Sequence, residues 1–288
     1  MIVAKVALAV VLSQYVRSRV DDRDPQSPCL YWTEGKSIVF RQSVDGNPDT
    51  PQETEFAAVA KAYATWQTEQ AACGSLTLSE GSRTASRKAG YDETLTTNEN
   101  VVLFRQKMCD AVVPAGDPCI SDDDCGNTYD CWQHAPSAIA ITTTSFNPKS
   151  GMILDSDIEL NAPRFLFTSV DSPPCPANMY DVTCVATDVQ NTVTHEVGHL
   201  LGLGHTSEVG STMAPRADPG ETSKRTVDAN SRKFICDVYP KGKPAKSCVI
   251  KALDDEVLGK PVGGCATTPG PLMLVLGLLP WLGRRRRG

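Results

Sequence analysis

Residues 195–205 read HEVGHLLGLGH and contain three of the four histidines in this 288-residue chain. His195 and His199 are four residues apart, so on a helix they lie on one face and can direct their imidazoles to a single ion. Gly202 stands three residues after His199, where a residue without Cβ can take the left-handed conformation that ends a helix. The turn brings His205 back to the same ion. Three imidazoles that leave a fourth position for water are typical of a catalytic zinc site.

Glu196 follows the first histidine and is the predicted catalytic residue. Bound zinc lowers the pKa of its water to about 7 and polarises a carbonyl group. From this position the Glu196 carboxylate would take a proton from the zinc-bound water as the water attacks a carbonyl carbon, and then protonate the leaving amine. The motif therefore predicts Zn²⁺ as the cofactor, His195, His199 and His205 as its ligands, and Glu196 as the general base.

The residues around the motif predict a helix that packs on a sheet. Thr187 and Gln190 form a candidate capping box, which places the start of the helix near Asp188. Four apolar side chains at helical spacing would bury it, namely Val189, Val193, Val197 and Leu200.

Residues 28–240 contain no linker that would mark a domain boundary, so we expect one catalytic domain. Its predicted helices and strands indicate an α+β fold. An early helix is indicated by apolar residues at helical spacing from Phe56 to Trp66, with Thr54 as a candidate N-cap. Clusters of β-branched and aromatic residues predict strands at 37–40, 76–78 and 100–104. A β-prone segment at 137–145 and a candidate strand at 157–160, separated by a turn at 148–151, predict two adjacent strands.

The chain has eleven cysteines and no Cys-x-x-Cys pair. This pattern favours disulfides in an oxidising compartment over a zinc ribbon or an iron–sulfur site. Ten cysteines lie in the body and could form five bridges, with Cys175 and Cys184 as a candidate short-loop pair, whereas Cys265 stands apart. An insertion at 117–131, DPCISDDDCGNTYDC, is either a stapled loop near the cleft or a small interaction module.

Calcium is a second possible metal, although no motif supports it. Five aspartates could supply oxygen ligands, but their spacing does not match an EF-hand loop, and solvated loop carboxylates are the alternative. They are Asp122, Asp123, Asp124, Asp155 and Asp157. His134 is the remaining histidine, and we expect it to be a surface or packing residue.

The two ends of the chain resemble processing signals. Residues 1–20 have a lysine followed by an apolar run, which predicts a signal peptide or an N-terminal anchor, with a buried strand as the alternative. Residues 241–264 are a C-terminal extension. Residues 265–288 combine Cys265, a short apolar stretch and four arginines. The stretch is shorter than the about 20 residues that span a bilayer, which favours a sorting tail over a permanent anchor.

The HExxHxxGxxH motif followed by Ser211-Thr212-Met213-Ala214-Pro215 resembles the signature of metzincin metallopeptidases, with matrixin-like spacing between His205 and Met213. The resemblance implies a zinc metalloendopeptidase with a metzincin-like zincin fold, that is, a mixed twisted sheet with an active-site helix and two further helices. Met213 would form a hydrophobic floor beneath the zinc ligands. The strand around Ala138–Thr144 would be the sheet edge that binds a protein or peptide substrate as an added strand.

The C-terminal tail resembles the MYXO-CTERM type of sorting signal. This resemblance implies a myxosortase-dependent protein that is exported, makes transient membrane contact through its tail, is cut near Cys265 by a processing peptidase, and is then displayed on the cell surface or released.

The sequence also allows two other functions. The chain could be a non-enzymatic, disulfide-rich envelope or adhesion protein with a vestigial zinc site, although the intact Glu196 counts against this. It could also be a zinc hydrolase of a non-peptide bond. The formal net charge is −6 and the basic residues are scattered apart from the terminal run, so we do not expect a nucleic-acid partner.

Overall fold

A computed structural model of the protein describes residues 15–95, 98–177, 179 and 181–248. Most of the predicted N-terminal signal, most of the C-terminal extension and the whole sorting tail with Cys265 lie outside the described residues. Residues 15–20, the last part of the predicted signal, lie within them and contact the folded chain. No helix in the described part of the chain has the length and apolar character needed to cross a bilayer.

The described chain contains nine strands and six α-helices. In chain order the strands are β1 (Val16–Arg17), β2 (Ser37–Gln42), β3 (Thr77–Glu80), β4 (Asn100–Arg105), β5 (Ala140–Phe146), β6 (Ile153–Asn161), β7 (Phe167–Thr168), β8 (Thr187–Asp188) and β9 (Leu203–Gly204). The helices are α1 (Thr54–Cys73), α2 (Cys109–Val112), α3 (Pro118–Asp122), α4 (Cys125–Tyr129), α5 (Val189–Leu200) and α6 (Ala229–Val238). Short 3-10 turns occur at Pro51–Glu53 and Ser223–Arg225.

A mixed five-stranded sheet forms the centre of the fold, in the order β3-β2-β4-β6-β5. The first four strands in this order are parallel, and β5 runs antiparallel to β6 at the edge. Strand β4 is almost wholly buried, which fits its continuous apolar sequence, because a central strand is covered on both faces. Most of β5 is only half-buried, so one long side of the sheet stays accessible.

Three helices pack around a core that they share with this sheet. Trp66, in the middle of α1, is fully buried, and its indole N–H donates to the carbonyl of Thr194 on α5 at 2.8 Å. Residues from α6 join the same core, including Phe234 and Ile235. A mixed α+β fold with a mixed sheet and several helices is therefore confirmed.

Helix α1 differs from the sequence prediction at both ends. Thr54 is its first residue and not its N-cap; that position belongs to Glu53, which has a left-handed backbone and no capping hydrogen bond from its side chain. The helix also continues well past Trp66 to Cys73. It extends this far because the buried residues Glu69 and Gln70 keep one face packed, and a disulfide fixes its last residue.

Five disulfides join the ten cysteines of the described chain, which confirms the predicted disulfide framework. They are Cys29–Cys248, Cys73–Cys236, Cys109–Cys131, Cys119–Cys125 and Cys175–Cys184. The first connects both ends of the described chain, and the second ties α1 to α6. Two nested bridges close a loop from Cys109 to Cys131 that contains α2, α3 and α4. This loop includes the insertion predicted at 117–131 and begins before it, and we call residues 109–131 the insertion.

Candidate metal centre and substrate cleft

Helix α5 carries the first two histidines and is fixed firmly at its start. Asp188 is the N-cap, and its Oδ1 accepts the backbone N–H of Asn191 at 2.7 Å. The predicted capping box of Thr187 and Gln190 is therefore wrong, because the N-cap is one residue later, whereas the predicted start of the helix near Asp188 is confirmed. The Asp188 carboxylate also pairs with Arg225 at 2.5 Å, which gives this buried cap a partner of opposite charge.

Two buried aromatic side chains donate hydrogen bonds to the carbonyl oxygens at the end of α5. The Trp32 indole donates to the carbonyl of Leu200 at 2.8 Å, and the Tyr239 hydroxyl donates to that of Leu201 at 2.6 Å. Gly202 follows with φ +97°, and a Cβ there would lie 2.7 Å from the backbone oxygen of Leu30. Only glycine fits this close, left-handed turn. The turn leads into β9 and then to His205.

The three motif histidines converge on one point. The Nε2 atoms of His195, His199 and His205 lie 3.1 Å from one another in every pairing. They are the group in the described residues that could hold a metal ion. The aspartates considered as calcium ligands form no such group there. Asp122, Asp123 and Asp124 lie in the insertion, whereas Asp157 on β6 accepts backbone hydrogen bonds from Val101 and Gly90.

The hydrogen bonds behind the rings set their tautomers. His195 Nδ1 lies 2.7 Å from the carbonyl oxygen of Thr212, and His199 Nδ1 lies 2.8 Å from that of Leu203. A carbonyl oxygen only accepts, so both Nδ1 atoms carry the proton and both Nε2 atoms present a lone pair. Burial lowers the pKa of all three imidazoles, which favours the neutral form that binds metal.

This donor set fits zinc. The unprotonated Nε2 atoms of His195 and His199, 3.1 Å apart, have no hydrogen to share and repel one another unless a cation lies between them. Zn–N bonds of about 2.0–2.1 Å in a tetrahedral site give nitrogen separations of about 3.3–3.4 Å, close to those found here.

The methionine turn, residues 211–215, packs against α5, and its Thr212 carbonyl oxygen contacts the ring of His195. Met213 is buried, and a Cβ on Gly198 of α5 would lie only 2.3 Å from its sulfur. Glycine at 198 therefore lets the turn approach the helix between the two histidines. Asp228, the N-cap of α6, holds the turn in place because its Oδ2 accepts from the Thr212 N–H at 2.9 Å and from the Ser211 hydroxyl at 3.0 Å.

Glu196 is buried beside the histidines and is oriented by strand β5. The Thr142 hydroxyl lies 2.6 Å from Glu196 Oε2 and 3.1 Å from the backbone oxygen of Glu196. Burial raises the pKa of Glu196 to about 7, and the hydrogen bond from Thr142 acts in the opposite direction. A carboxyl group whose pKa lies near neutrality is suited to exchange protons in both directions.

Two cavities flank the histidine cluster and form one cleft along β5. The first has a volume of about 380 Å³, and the second of about 390 Å³. Glu196 and His205 line both, as do Ala140 and Ile141 of β5. A polypeptide lying along the edge strand would therefore pass directly over Glu196.

A buried ammonium group lines the first cavity. Lys224 is 4% exposed, and its Nζ donates to the backbone oxygen of Arg216 at 2.8 Å and to Glu221 at 2.5 Å. Ile139, Phe165 and other apolar residues complete the walls.

Several residues of the site were not identified from the sequence. Thr142 and Asp228 act on residues more than ten positions away, and neither stands in a recognisable motif. A weak signal was present for Asp228, since an aspartate two residues before Asn230 and three before Ser231 is a common N-cap pattern.

Comparison with known proteins agrees with this site. The sequence model of the matrixin family matches residues 121–240. The chain is also similar to the Arabidopsis thaliana protein named metalloendoproteinase 1-MMP, with 29% identity over 101 residues. That match covers 34% of this chain and 28% of the length of the relative. Together with the three histidines, these similarities support a metzincin-like zinc metalloprotease in general terms.

Proposed function

We propose that this protein is an exported zinc endopeptidase that hydrolyses peptide bonds in polypeptides bound along β5. The observation that carries the proposal is the cleft itself, because the edge strand, the three convergent Nε2 atoms and the buried Glu196 carboxylate all line it. An extended chain can add to an exposed sheet edge through backbone hydrogen bonds, which suits a polypeptide substrate.

In this proposal each group of the site has a separate task. His195, His199 and His205 hold the metal, which when bound acts as a Lewis acid and makes water a stronger nucleophile. Thr142 orients the Glu196 carboxylate. Glu196 accepts a proton from the attacking water and delivers it to the leaving amine. The Thr212 carbonyl oxygen keeps the imidazole of His195 in place, and Met213 packs against α5 at Gly198.

The test is cleavage of unfolded casein and of a quenched peptide library by the purified protein, beside Glu196→Ala, with bound zinc quantified in both. We expect cleavage by the wild-type protein and its loss in Glu196→Ala, with an equal zinc content. A zinc-loaded wild-type protein that cleaves neither substrate would favour a non-enzymatic envelope or adhesion protein. In that case the zinc-loaded protein is also assayed on ester substrates, and activity there would instead indicate a hydrolase of non-peptide bonds.

We further propose that residues 1–20 direct export and that residues 265–288 are a sorting tail removed near Cys265. The five disulfides are compatible with an oxidising compartment, which supports the export step. Mass spectrometry of the mature protein should place the new C-terminus near residue 265. In a Cys265→Ala variant we expect the uncut tail to persist, and identical processing of both forms would contradict the proposal.

A further inference from the structure

The disulfide-stapled insertion, residues 109–131, bears a third cavity that the proposed mechanism does not use. Its volume is about 370 Å³, and we call it the insertion cavity. Its apolar lining includes Met108, Val113, Ile120 and Trp132. Ile120 is 58% exposed, an unusual state for a large apolar side chain that lines a cavity.

The insertion cavity adjoins the substrate cleft. Pro136 lines the insertion cavity and Ser137, the next residue, lines the first cavity of the cleft. Consecutive Cα atoms are about 3.8 Å apart, so the two cavities share a wall. The wall is fixed by Asn161, whose side-chain amide donates to the backbone oxygens of Pro136 at 3.3 Å and Ala138 at 2.8 Å.

The insertion is strongly acidic. Residues 109–131 contain six aspartates and no lysine or arginine. Asp130 pairs with Arg87 and Arg105, and Asp117 accepts from the Tyr129 hydroxyl. The other four aspartates are exposed, namely Asp110, Asp122, Asp123 and Asp124. Of these, Asp122 accepts from the Ser121 hydroxyl and Asp124 from the Asn127 side-chain amide.

Two of these exposed acids line the insertion cavity itself. They are Asp110 and Asp123, and neither carboxylate has a hydrogen-bond or ion-pair partner in the described part of the chain. The lining of the cavity thus combines apolar side chains with two carboxylates that have no partner. A complementary ligand would present apolar side chains next to lysine or arginine.

The insertion is held rigidly enough to act as a preformed docking site. Cys109–Cys131 closes it at the base and Cys119–Cys125 closes its tip. Gln133 bridges across it, accepting from the Gly126 N–H at 2.5 Å and donating to the Asp123 carbonyl at 3.0 Å. A rigid surface loses little conformational freedom when a ligand binds.

His134 belongs to this rigid wall and not to the metal site. Its ring lies edge-on to Trp132, and its Nε2 is 3.2 Å from a carboxylate oxygen of Glu159.

We propose that the insertion cavity is an exosite for substrate, which binds a stretch of alternating basic and apolar residues as the polypeptide leaves the cleft at the Ala140 end of β5. This inference rests on the proposed function. It makes polypeptides with basic and apolar residues beside the cleaved bond the preferred substrates.

The test uses two quenched peptides with the same cleaved core. One continues on both flanks with alternating arginine and leucine, and the other with serine and glycine, so the direction of binding does not matter. For the mature wild-type protein we expect KM to be about fivefold lower for the basic peptide, since exposed ion pairs contribute modestly. This advantage should disappear in Asp110→Asn/Asp123→Asn and shrink in Ile120→Ser, whereas kcat for the neutral peptide stays unchanged.

The matched control is Glu34→Gln/Asp49→Asn, which removes two exposed charges outside these cavities. It should keep the full advantage of the wild-type protein. An advantage that survives in the insertion variant, or that falls equally in the control, would overturn the exosite.

A binding measurement separates the exosite from the proposed activity. Fluorescence anisotropy of both peptides is measured with Glu196→Ala, in the presence and absence of the two insertion substitutions. If no peptide is cleaved by any form, but the basic peptide still binds more tightly in a manner that depends on Asp110 and Asp123, the proposed function fails and the docking site stands. Binding that is insensitive to these aspartates refutes the docking site.

Discussion

Thr142 is the residue through which the sheet controls the candidate base. Its hydroxyl bonds to both the side chain and the backbone of Glu196, so one side chain joins the edge strand to the metal-binding helix. The carboxylate would otherwise be free to rotate away from the position above the histidines. The exact placement of a general base therefore depends on a residue that does not itself titrate.

We expect Thr142→Val to lower kcat/KM about tenfold with an unchanged zinc content. A hydrogen bond to a charged group contributes about 1.5–3 kcal/mol, and 1.36 kcal/mol corresponds to tenfold. The measurement is peptide cleavage under kcat/KM conditions together with metal analysis. Thr142→Ser keeps the hydroxyl and should retain most of the activity, so an equal loss in both variants would mean that packing and not the hydrogen bond matters.

Among single residues, those that share one helix turn could be predicted from the sequence, whereas Thr142, which reaches Glu196 across the fold, could not. His195 and His199 could be predicted from spacing, because helical geometry fixes which side chains share a face, and Glu196 from its place directly after His195 in the motif. Thr142 could not be assigned, since 54 residues separate it from Glu196 and the sequence TTT contains three equivalent candidates.

Among the elements, α6 supports the candidate metal centre without contributing a candidate ligand to it. Asp228 caps this helix by accepting from the backbone N–H groups of Asn230 and Ser231, and with its other oxygen it holds Thr212 of the methionine turn. Thr212 in turn accepts from His195. A change at the helix cap is thus transmitted to a ligand through two hydrogen bonds.

The charge of Asp228 predicts an acid-sensitive stability. Burial alone would raise its pKa, but hydrogen bonds from Ser231, Thr212 and Asn230 lower it to about 2. A folded-state pKa below the unfolded value means that the stabilisation is complete above pH about 4 and is lost as the pH falls towards about 2. After discounting for solvent screening, we expect Asp228→Asn to cost about 1 kcal/mol at pH 7.

The measurement is urea unfolding of metal-free wild-type and Asp228→Asn protein at pH 7, 5 and 3, so that zinc release does not contribute. The difference between them should shrink between pH 5 and pH 3. Asp49→Asn serves as the control, because Asp49 is exposed and bonds to no helix end, and its difference from wild type should stay flat. If the difference in unfolding free energy between wild type and Asp228→Asn does not change with pH, the loss of stability comes from the shape of the side chain and not from its charge.

Strands were easier to predict than helix ends. β-branched and aromatic clusters correctly indicated the five strands of the main sheet, but the sequence did not reveal their order, which depends on pairings between distant segments. The capping residues of α1 and α5 were misassigned because neighbouring residues compete for the cap position. Thr187 and Asp188 are both good caps, and the ion pair of Asp188 with Arg225 favours Asp188.

On the scale of the whole molecule, both ends of the described chain help to hold the third histidine. Strand β1 pairs with β9, and the Ser18 hydroxyl donates to the Leu203 carbonyl at 3.0 Å, two residues before His205. The Cys29–Cys248 bridge ties this N-terminal segment to the last described residues. The sequence did not predict this arrangement, because the end of the apolar N-terminus reads as part of an export signal.

The last prediction concerns the metal and the stability of the whole fold. His195 and His199 come from α5, whereas His205 follows β9, so a bound ion would cross-link a helix to the segment that the N-terminal strand supports. An ion that binds only the folded protein stabilises it by about 2.7 kcal/mol when its concentration is 100 times its Kd. We therefore expect chelation to lower Tm and added zinc to restore it.

The experiment uses Glu196→Ala, so that self-cleavage does not affect the melting curve. His205→Ala in the same background removes the ligand that lies beyond the helix, and its response to zinc should fall sharply while its metal-free Tm changes little, because His205 is the most exposed of the three. His134→Ala is the matched control, since His134 bonds to Glu159 and not to the cluster. A zinc response of full size in His205→Ala would mean that the ion does not connect these two parts of the chain.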